Sequence, residues 1–231
     1  QREKAQKAQE DAGTVHASWA RVYARRMNRP RVLPPVLPPA SYHPRLTNLM
    51  RGDREKMLPE QVLELIKTRR SVRKFEDRPL TNAQINMLLE AMRWAPSGGN
   101  RQPWAFYVVK SPKVKQELIT AAKGQSFIAE AAIIIGVVAV AARSAERYGE
   151  RGEKLYSLQD TAAATQNCML LAKSMGLGTC WIGAFKEDEV AQVLGLPEGH
   201  RPVALIPIGY PAEEPAPRPR MELNEVVTII E

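Results

Sequence analysis

IIIGVVAV, residues 133–140, is the stretch that decides the fold, because eight consecutive residues here carry no polar side chain. Six of the eight are isoleucine or valine, and β-branched side chains pack well on the pleated surface of a strand. Successive strand residues point to opposite faces, so both faces of this strand are apolar. We therefore expect a strand that is buried on both sides, within a sheet covered by helices.

Two further strands are predicted on either side of this one along the chain. WAFYVV at 104–109 and the residues 203–208 have the branched and aromatic composition of buried strands. Because the strands alternate with helical segments, the sequence predicts an α+β fold with a central sheet flanked by helices.

Three helices are predicted from their end signals and apolar spacing. One begins at Pro59, a favourable first helical residue, and ends by residues 68–70. A second begins after Thr81, whose spacing to Gln84 fits a capping box. A third covers residues 160–175 and ends at a glycine, which suits a left-handed helix terminus.

Composition and length limit the classes of protein to consider. The chain has 231 residues, of which 44% are hydrophobic and 25% charged, as in a globular protein. Its longest apolar run, residues 128–142, contains Glu130 and is too short for a membrane helix. We expect a soluble, cytoplasmic protein.

Two cysteines without CxxC spacing and three scattered histidines argue against a structural zinc site, and we expect no metal.

The excess positive charge belongs to the N-terminal quarter of the chain. Residues 1–60 hold 12 Lys and Arg against 6 Asp and Glu, while the whole chain has a net charge of +8. The pattern predicts a helix over 1–29 and an extended segment over 30–44, which contains six prolines. We divide the chain into a basic, Pro-rich arm (1–57) and a compact domain (58–231).

Several roles are open for this arm. It could bind an anionic partner such as nucleic acid or a membrane surface, although no recognition motif accompanies the charge and we do not favour either. It could also present a Pro-rich ligand to a recognition domain. The favoured alternative is a solvated arm or one that wraps a neighbouring subunit.

Three segments carry groups suited to a phosphorylated, planar ligand. RRSVR, residues 69–73, offers three guanidinium groups and a hydroxyl, which match phosphate oxygens. APSGGNRQPW, 95–104, combines adjacent glycines with amide and hydroxyl groups. GLGTCWIGAF, 176–185, places small residues around Trp181 and Ile182. The competing interpretation of the first segment is a solvated basic turn, that of the second is an ordinary Gly-rich turn, and that of the third is a helix cap followed by a buried strand.

These motifs, with PIGYP at 207–211, resemble the nitroreductase family in order and spacing, from about residue 58 to the end of the chain. The resemblance implies a central, mainly antiparallel sheet flanked by helices, and an intertwined homodimer with FMN at its interface. It assigns the phosphate and ribityl chain to Arg69, Arg70 and Ser71, and the N1/O2 edge of the ring to Arg73. Pro96, Ser97 and Gly98 would come from the partner subunit. Further contacts are implied for Asn100 and Gln102 at the ring edge, for Trp181 and Ile182 along the ring, for the Gly183 backbone N–H toward flavin N5, and for Arg218 and Arg220 at the phosphate.

The implied activity is transfer of hydride from NADH or NADPH to FMN, and then of electrons to a small acceptor such as a nitroaromatic, a quinone or a flavin. Donor and acceptor would use the same open face of the ring in turn, which predicts ping-pong kinetics. No side-chain acid or base is required. Cys180 is expected to be a packed thiol and His200 to lie in a surface turn. Dehalogenation and flavin breakdown are the alternative chemistries, with acceptor choice expected from the variable segment 143–157.

Overall fold

A computed structural model of the chain describes residues 59–231. The predicted N-terminal helix, the Pro-rich segment and the proposed roles of the basic arm fall outside these residues and stay predictions. The described elements, in chain order, are helix α1 (Pro59–Thr68), helix α2 (Asn82–Arg93), a 3₁₀ turn (Gly98–Asn100), strand β1 (Trp104–Val109), helix α3 (Pro112–Ala121), helix α4 (Phe127–Glu130), strand β2 (Ile133–Val140), helix α5 (Ala141–Arg151), a π-helical turn (Gly152–Tyr156), helix α6 (Ser157–Ser174), strand β3 (Gly178–Thr179), helix α7 (Glu187–Leu194), strand β4 (His200–Gly209) and helix α8 (Leu223–Val226).

The four strands form one sheet in the order β1-β2-β4-β3, with every neighbouring pair antiparallel. Strand β2 lies inside the sheet, and all eight of its residues are buried. An irregularity between Val137 and Val138 shifts its register with β4. The prediction of a mainly antiparallel central sheet with a doubly covered strand is confirmed.

Two apolar clusters cover the two faces of the sheet. On one face, α2 and α6 pack against alternate residues of β2; this cluster includes Ile85, Leu88, Met92, Ile133, Ile135, Val137, Ala164, Cys168, Met169 and Ala172. On the other face, α3, α4 and α7 surround Ile134; this cluster includes Leu118, Ala121, Ile128, Ile134, Cys180, Ile182 and Val190. The period-two alternation of β2 thus supplies both cores.

Two of the predicted helix ends, at Thr81 and Gly176, are confirmed. The Thr81 hydroxyl accepts the N–H of Gln84, and the Gln84 side chain accepts the N–H of Thr81, which completes the capping box. At the end of α6, Leu177 N–H donates to Ala172 O (2.8 Å) and Gly176 N–H donates to Lys173 O (3.1 Å), with Gly176 at φ +72°. This is a Schellman motif, and it turns the chain back toward the sheet.

Several boundaries differ from the sequence prediction. Helix α6 begins at Ser157, three residues earlier than expected, because the π-helical turn leads directly into it. His200 closes the turn that begins at Pro197, through its N–H to Pro197 O (3.2 Å), and is also the first residue of β4, where it pairs with Val140. Residues 143–157 form most of α5 and the π-helical turn. Within residues 59–231, no helix combines the length and the apolar character needed to cross a membrane.

Candidate functional site

The first arginine segment leaves α1 in an extended conformation and joins the edge of the sheet. Val72 N–H donates to Thr179 O (2.9 Å), and Ser71 forms a parallel bridge with Thr179. Val72 is buried, whereas Ser71 is half-buried and Arg73 is exposed. The alternation is that of an extended segment, and it leaves the hydroxyl and the guanidinium group outside the core.

Gly178 permits this close approach. A Cβ atom at position 178 would lie 2.9 Å from the Val72 side chain, a distance that real Cβ contacts essentially never show. The glycine in the third motif thus explains how the first motif and the third motif come to lie side by side.

The C-terminal segment returns to the same place. Phe75 forms a bridge with Pro211, and Ala212 N–H donates to Lys74 O (2.9 Å). Beyond this point the chain borders a cavity of about 530 Å³; its lining includes Arg69, Arg70, Ser71, Arg73, Arg218 and Arg220. The structure therefore brings together all six residues that the sequence assigned to the phosphate and to the N1/O2 edge of the ring.

The charges around this cavity are not neutralised by ion pairs within residues 59–231. Among the described residues, none of these five arginines takes part in a salt bridge. The Nη1 atom of Arg69 is buried and has no hydrogen-bond partner there. Burial lowers the pKa of Arg69, and the positive charges of Arg220 and Arg70 lower it further. Neighbouring cations and an orphaned donor fit a phosphate group.

Glu213 lies at the border of this cluster and bonds to the main chain. Its Oε1 atom accepts the backbone N–H of Arg73 at 2.5 Å. Hence the guanidinium group of Arg73 is left exposed, while its backbone is fixed by the returning C-terminal segment.

The third motif presents its residues alternately to the surface and to the core. Trp181 is 40% exposed, and Gly183 is exposed, with no atom within 4 Å of the position that a Cβ would take there. Ile182 instead pairs with Leu205 through two 3.0 Å hydrogen bonds and is only 2% exposed. The Ile182 side chain therefore lies in the core, and the proposed position of this residue along the ring stays a prediction.

Trp181 and Gly183 border a second cavity of about 340 Å³. Its other walls come from α6, including Leu158, Thr161 and Thr165, and from Phe185, Arg201 and neighbouring residues. The cavity is separate from the arginine-lined one, although the Ser71–Thr179 bridge connects the segments that border them.

The second motif forms a tight turn in an unusual backbone conformation. Gly99, Asn100 and Gln102 have φ values of +53°, +56° and +48°, which side-chain-bearing residues rarely adopt. Ser97 Oγ accepts the N–H of Gln102 at 3.0 Å, and this bond helps to hold the turn. Strain of this kind is often concentrated at functional sites.

None of Pro96, Ser97, Gly98, Asn100 and Gln102 lines the two cavities described above. Pro96, Asn100 and Gln102 are exposed, and Ser97 and Gly98 are half-buried. The structure of one chain thus leaves this motif apart from the arginine cluster.

Asp160 supports the turn from below and was not singled out from the sequence. Gly98 N–H lies 3.3 Å from each of its carboxylate oxygens. Burial raises the pKa of Asp160, and the hydrogen bond from Gly98 acts in the opposite direction. A single carboxylate on an otherwise apolar or small-residue face of α6 was the available sequence signal.

Helix α5 and the π-helical turn also hold the second motif, which sequence reasoning missed. Arg143 Nη1 donates to the carbonyl oxygens of Gln102 and Trp104, both at 3.0 Å. Arg101 Nε donates to Arg143 O at 2.7 Å. The acceptor segment proposed from the sequence and the Gly-rich turn are therefore one connected unit.

Cys180 lies between the arginine segment and the core. Burial raises the pKa of its thiol, while Arg73, a hydrogen bond with Ser71, and Arg69 act to lower it. The residue is 2% exposed, which agrees with the expectation of a packed thiol.

Comparison with known proteins gives a consistent result. A family model described as the nitroreductase family matches residues 66–132 and 120–210. The chain is 30% identical to the FMN reductase (NADPH) of Bacillus subtilis (strain 168), covering 71% of each chain.

Solved structures show the same likeness. A nitroreductase family protein from Clostridium novyi NT is 32% identical with a TM-score of 0.60, covering 66% of this chain and 86% of that one. The NADPH:FMN oxidoreductase from Vibrio harveyi, solved in complex with NAD+, is 28% identical with a TM-score of 0.68, covering 74% and 77% of the two chains.

Proposed function

Because this chain belongs to the nitroreductase family, we propose that it is an FMN-dependent oxidoreductase that takes hydride from NADH or NADPH and reduces a small acceptor such as a nitroaromatic, a quinone or a flavin. The family makes the chain an enzyme, and relatives named for FMN and NADPH support the cofactor and the donor. The acceptor and the order of the reaction are part of the proposal.

The arginine cluster is the observation that carries the proposal. Five guanidinium groups border one cavity, and the buried Nη1 atom of Arg69 has no partner among residues 59–231. An unsatisfied buried donor is costly, whereas a charge-assisted bond to phosphate would satisfy it. We assign the FMN phosphate to Arg69, Arg70, Arg218 and Arg220, with Ser71 at the ribityl chain.

The remaining residues would position the ring. Bound FMN supplies the two-electron hydride chemistry. Arg73 is proposed for the N1/O2 edge, where a fixed positive charge stabilises negative charge on the ring. The backbone N–H of Gly183 is proposed for the N5 side, with Trp181 beside the ring. The exposure of Arg73, Trp181 and Gly183 supports these assignments.

A second copy of the chain is part of the proposed site. None of the five residues Pro96, Ser97, Gly98, Asn100 and Gln102 lines the arginine cavity of its own chain. We assign them to the flavin of the partner subunit in an intertwined homodimer. A strained, well-supported turn suits this role, because its polar groups are fixed before the subunits meet.

The proposed reaction requires no side-chain acid or base at the ring. Donor and acceptor would occupy the same open face one after the other, which gives parallel lines in double-reciprocal plots. Cys180 takes no part, since its thiol is buried beneath Ser71 and the arginines.

A visible spectrum tests the proposal directly. Full-length protein purified with added FMN should be yellow and should lose its colour when NADH or NADPH is added without oxygen. Addition of menadione or a nitroaromatic compound should restore the colour. Protein that stays colourless after incubation with FMN, or whose bound FMN is unchanged by both nicotinamides, would refute the proposed function.

A further inference from the structure

The Gly-rich turn is covered by aromatic and cationic side chains of its own chain. A Cβ atom at Gly99 would lie 2.5 Å from Tyr148 Oη and 3.1 Å from Arg147 Nη1. A Cβ atom at Gly98 would lie 3.5 Å from the Tyr156 ring. Two tyrosines and one arginine therefore lie directly against the turn that we assign to the flavin ring.

The two tyrosines form a fixed aromatic corner. Their ring centroids are 5.1 Å apart with an interplanar angle of 79°, an edge-to-face arrangement. Tyr156 Oη accepts a hydrogen bond from Arg151 Nε at 3.0 Å. Both rings are half-buried, so each keeps part of its surface open.

The π-helical turn fixes the position of this corner. A Cβ atom at Gly152 would clash with the carbonyl group of Ser144, so the turn packs against α5 as closely as a glycine allows. π-Helical turns cost backbone hydrogen-bond geometry and occur often at functional sites.

Arg147 differs from the cations around it because it has no hydrogen-bond or ion-pair partner among the described residues. Arg143 donates to backbone carbonyls, Arg101 pairs with Glu146, and Lys154 pairs with Glu150. Arg147 is exposed and has no hydrogen bond or salt bridge to any described residue; its guanidinium group lies over the Tyr148 ring, whose centroid is 5.5 Å away.

We propose that Arg147, Tyr148 and Tyr156 form an acceptor subsite that selects planar aromatic acids. The tyrosines would contact the aromatic ring, and the Arg147 guanidinium would bind its carboxylate. The inference rests on the proposed function, because it is the flavin assignment of residues 96–100 that places this corner beside the reacting ring.

A nitroaromatic acid makes the chemistry of the test explicit. The hydride from NAD(P)H and one proton from solvent together convert the nitro group into a nitroso group; the oxygen that is removed leaves as water, and the nicotinamide leaves oxidised. The carboxylate takes no part in the electron transfer, so its effect reports on binding at the subsite.

The experiment compares 4-nitrobenzoate with the isosteric but neutral 4-nitrobenzamide in the full-length, FMN-supplemented protein. An exposed ion pair contributes up to about 1 kcal/mol, so we expect a KM about fivefold lower for the acid. Arg147→Gln should abolish this preference and leave the KM for the amide unchanged. Arg147→Lys should keep part of it, and Lys154→Gln, which removes a charge already paired with Glu150, should keep all of it.

Calorimetric titration with benzoate and benzamide adds a readout that needs no turnover. Tighter binding of benzoate than of benzamide, lost in Arg147→Gln, would support the subsite even if neither nitro compound were reduced. Failure to reduce either nitro compound would count against the proposed function and not against the subsite. Equal binding of the two compounds, or an equal loss for both in Arg147→Gln, would overturn the subsite. So would an Arg147→Gln variant that changes only the KM of NADPH relative to NADH, because Arg147 would then bind the phosphate of the donor.

Discussion

Arg69 and Arg220 line the same cavity: burial lowers the pKa of Arg69, and the positive charge of Arg220 is the next largest cause of that decrease. The two residues come from opposite ends of the described chain. Like charges held this close repel each other, so the arrangement opposes folding of the empty site and favours binding of an anion.

Arg69→Gln should therefore weaken FMN binding without harming the fold. Loss of a charge-assisted bond to phosphate costs about 1.5–3 kcal/mol, so we expect the Kd of FMN to rise at least about tenfold. The melting temperature of the FMN-free protein should stay the same or rise, because a repelling charge is removed. Fluorescence titration and thermal unfolding measure the two effects.

Lys67→Gln is the matched control for that variant. Lys67 lies two residues away in the last turn of α1 and is exposed, and it does not line the arginine cavity. Its removal should leave the Kd of FMN nearly unchanged. An equal weakening by both substitutions would show that net charge, rather than the Arg69 contact, governs binding.

Gly183→Ala should leave the fold intact and impair the cofactor site. No atom lies within 4 Å of the position that its Cβ would take, so the melting temperature without FMN should match that of the wild type. The added methyl group would occupy the surface assigned to the flavin, and FMN affinity or its reduction rate should fall. Wild-type affinity and rates in this variant would contradict the assignment of Gly183.

Gly99→Ala should show the opposite pattern, with a loss of stability. Gly99 has φ +53°, and its new Cβ would lie 2.5 Å from Tyr148 Oη. A positive φ at a residue with a side chain costs about 1 kcal/mol or more, and the clash adds to it. Urea unfolding should therefore give a lower midpoint. An unchanged midpoint would mean that the turn relaxes freely and is not held by α5.

Asp160→Asn should raise stability by an amount that grows with pH. Burial raises the pKa of Asp160 from its ordinary value of 3.8, with the Gly98 N–H opposing the change. A carboxyl group with a raised folded-state pKa favours folding while it is protonated, and this contribution is lost as pH rises through that pKa. The gain from the substitution should be larger at pH 7 than at pH 4 in urea unfolding, whereas exposed Asp188→Asn gives the background.

Both thiols should be unreactive in the folded protein. Cys168 and Cys180 are buried, and burial raises the pKa of Cys168 to about 12. A disulfide reagent at pH 8 should label neither cysteine until guanidinium is added, and then both. Fast labelling of Cys180 in the native protein would show that its arginine neighbours make it a reactive thiolate, contrary to the packed-thiol interpretation.

Much of the fold could be predicted because its signals are local. The apolar run of β2, the Thr81 capping box and the Gly176 helix terminus each depend on residues within a few positions of one another. Helix α3 also carries a local signal, since Ser111 caps it and Pro112 occupies its first turn, although it was not among the predicted helices. Helix α5 has no such capping signal, because its N-cap residue is Val140, which makes no side-chain hydrogen bond to the helix.

The site was less accessible to sequence reasoning, since its contacts join distant segments. The composition of residues 69–73 indicates an anion site, but the pairing of Ser71 with Thr179 depends on how β3 adds to the sheet. The burial of the Ile182 side chain could not be predicted from the sequence, because the bridge to Leu205 sets which side chains face the core. Asp160 and Tyr148 both contact the turn at Gly98 and Gly99, but they lie about 50 or more positions further along the chain, and no sequence pattern links them to the turn.

The single bridge between Ser71 and Thr179 has a thermodynamic consequence. Through this bridge, and through the close contact of Val72 with Gly178, the segment that carries the residues assigned to FMN also forms the outermost pairing at this edge of the sheet. A ligand that binds Ser71 and Arg69 therefore also stabilises this strand pairing, because a ligand that binds only the folded form stabilises the folded form. Ligand binding in the arginine cavity and pairing of Ser71 with Thr179 are therefore thermodynamically linked, and each favours the other.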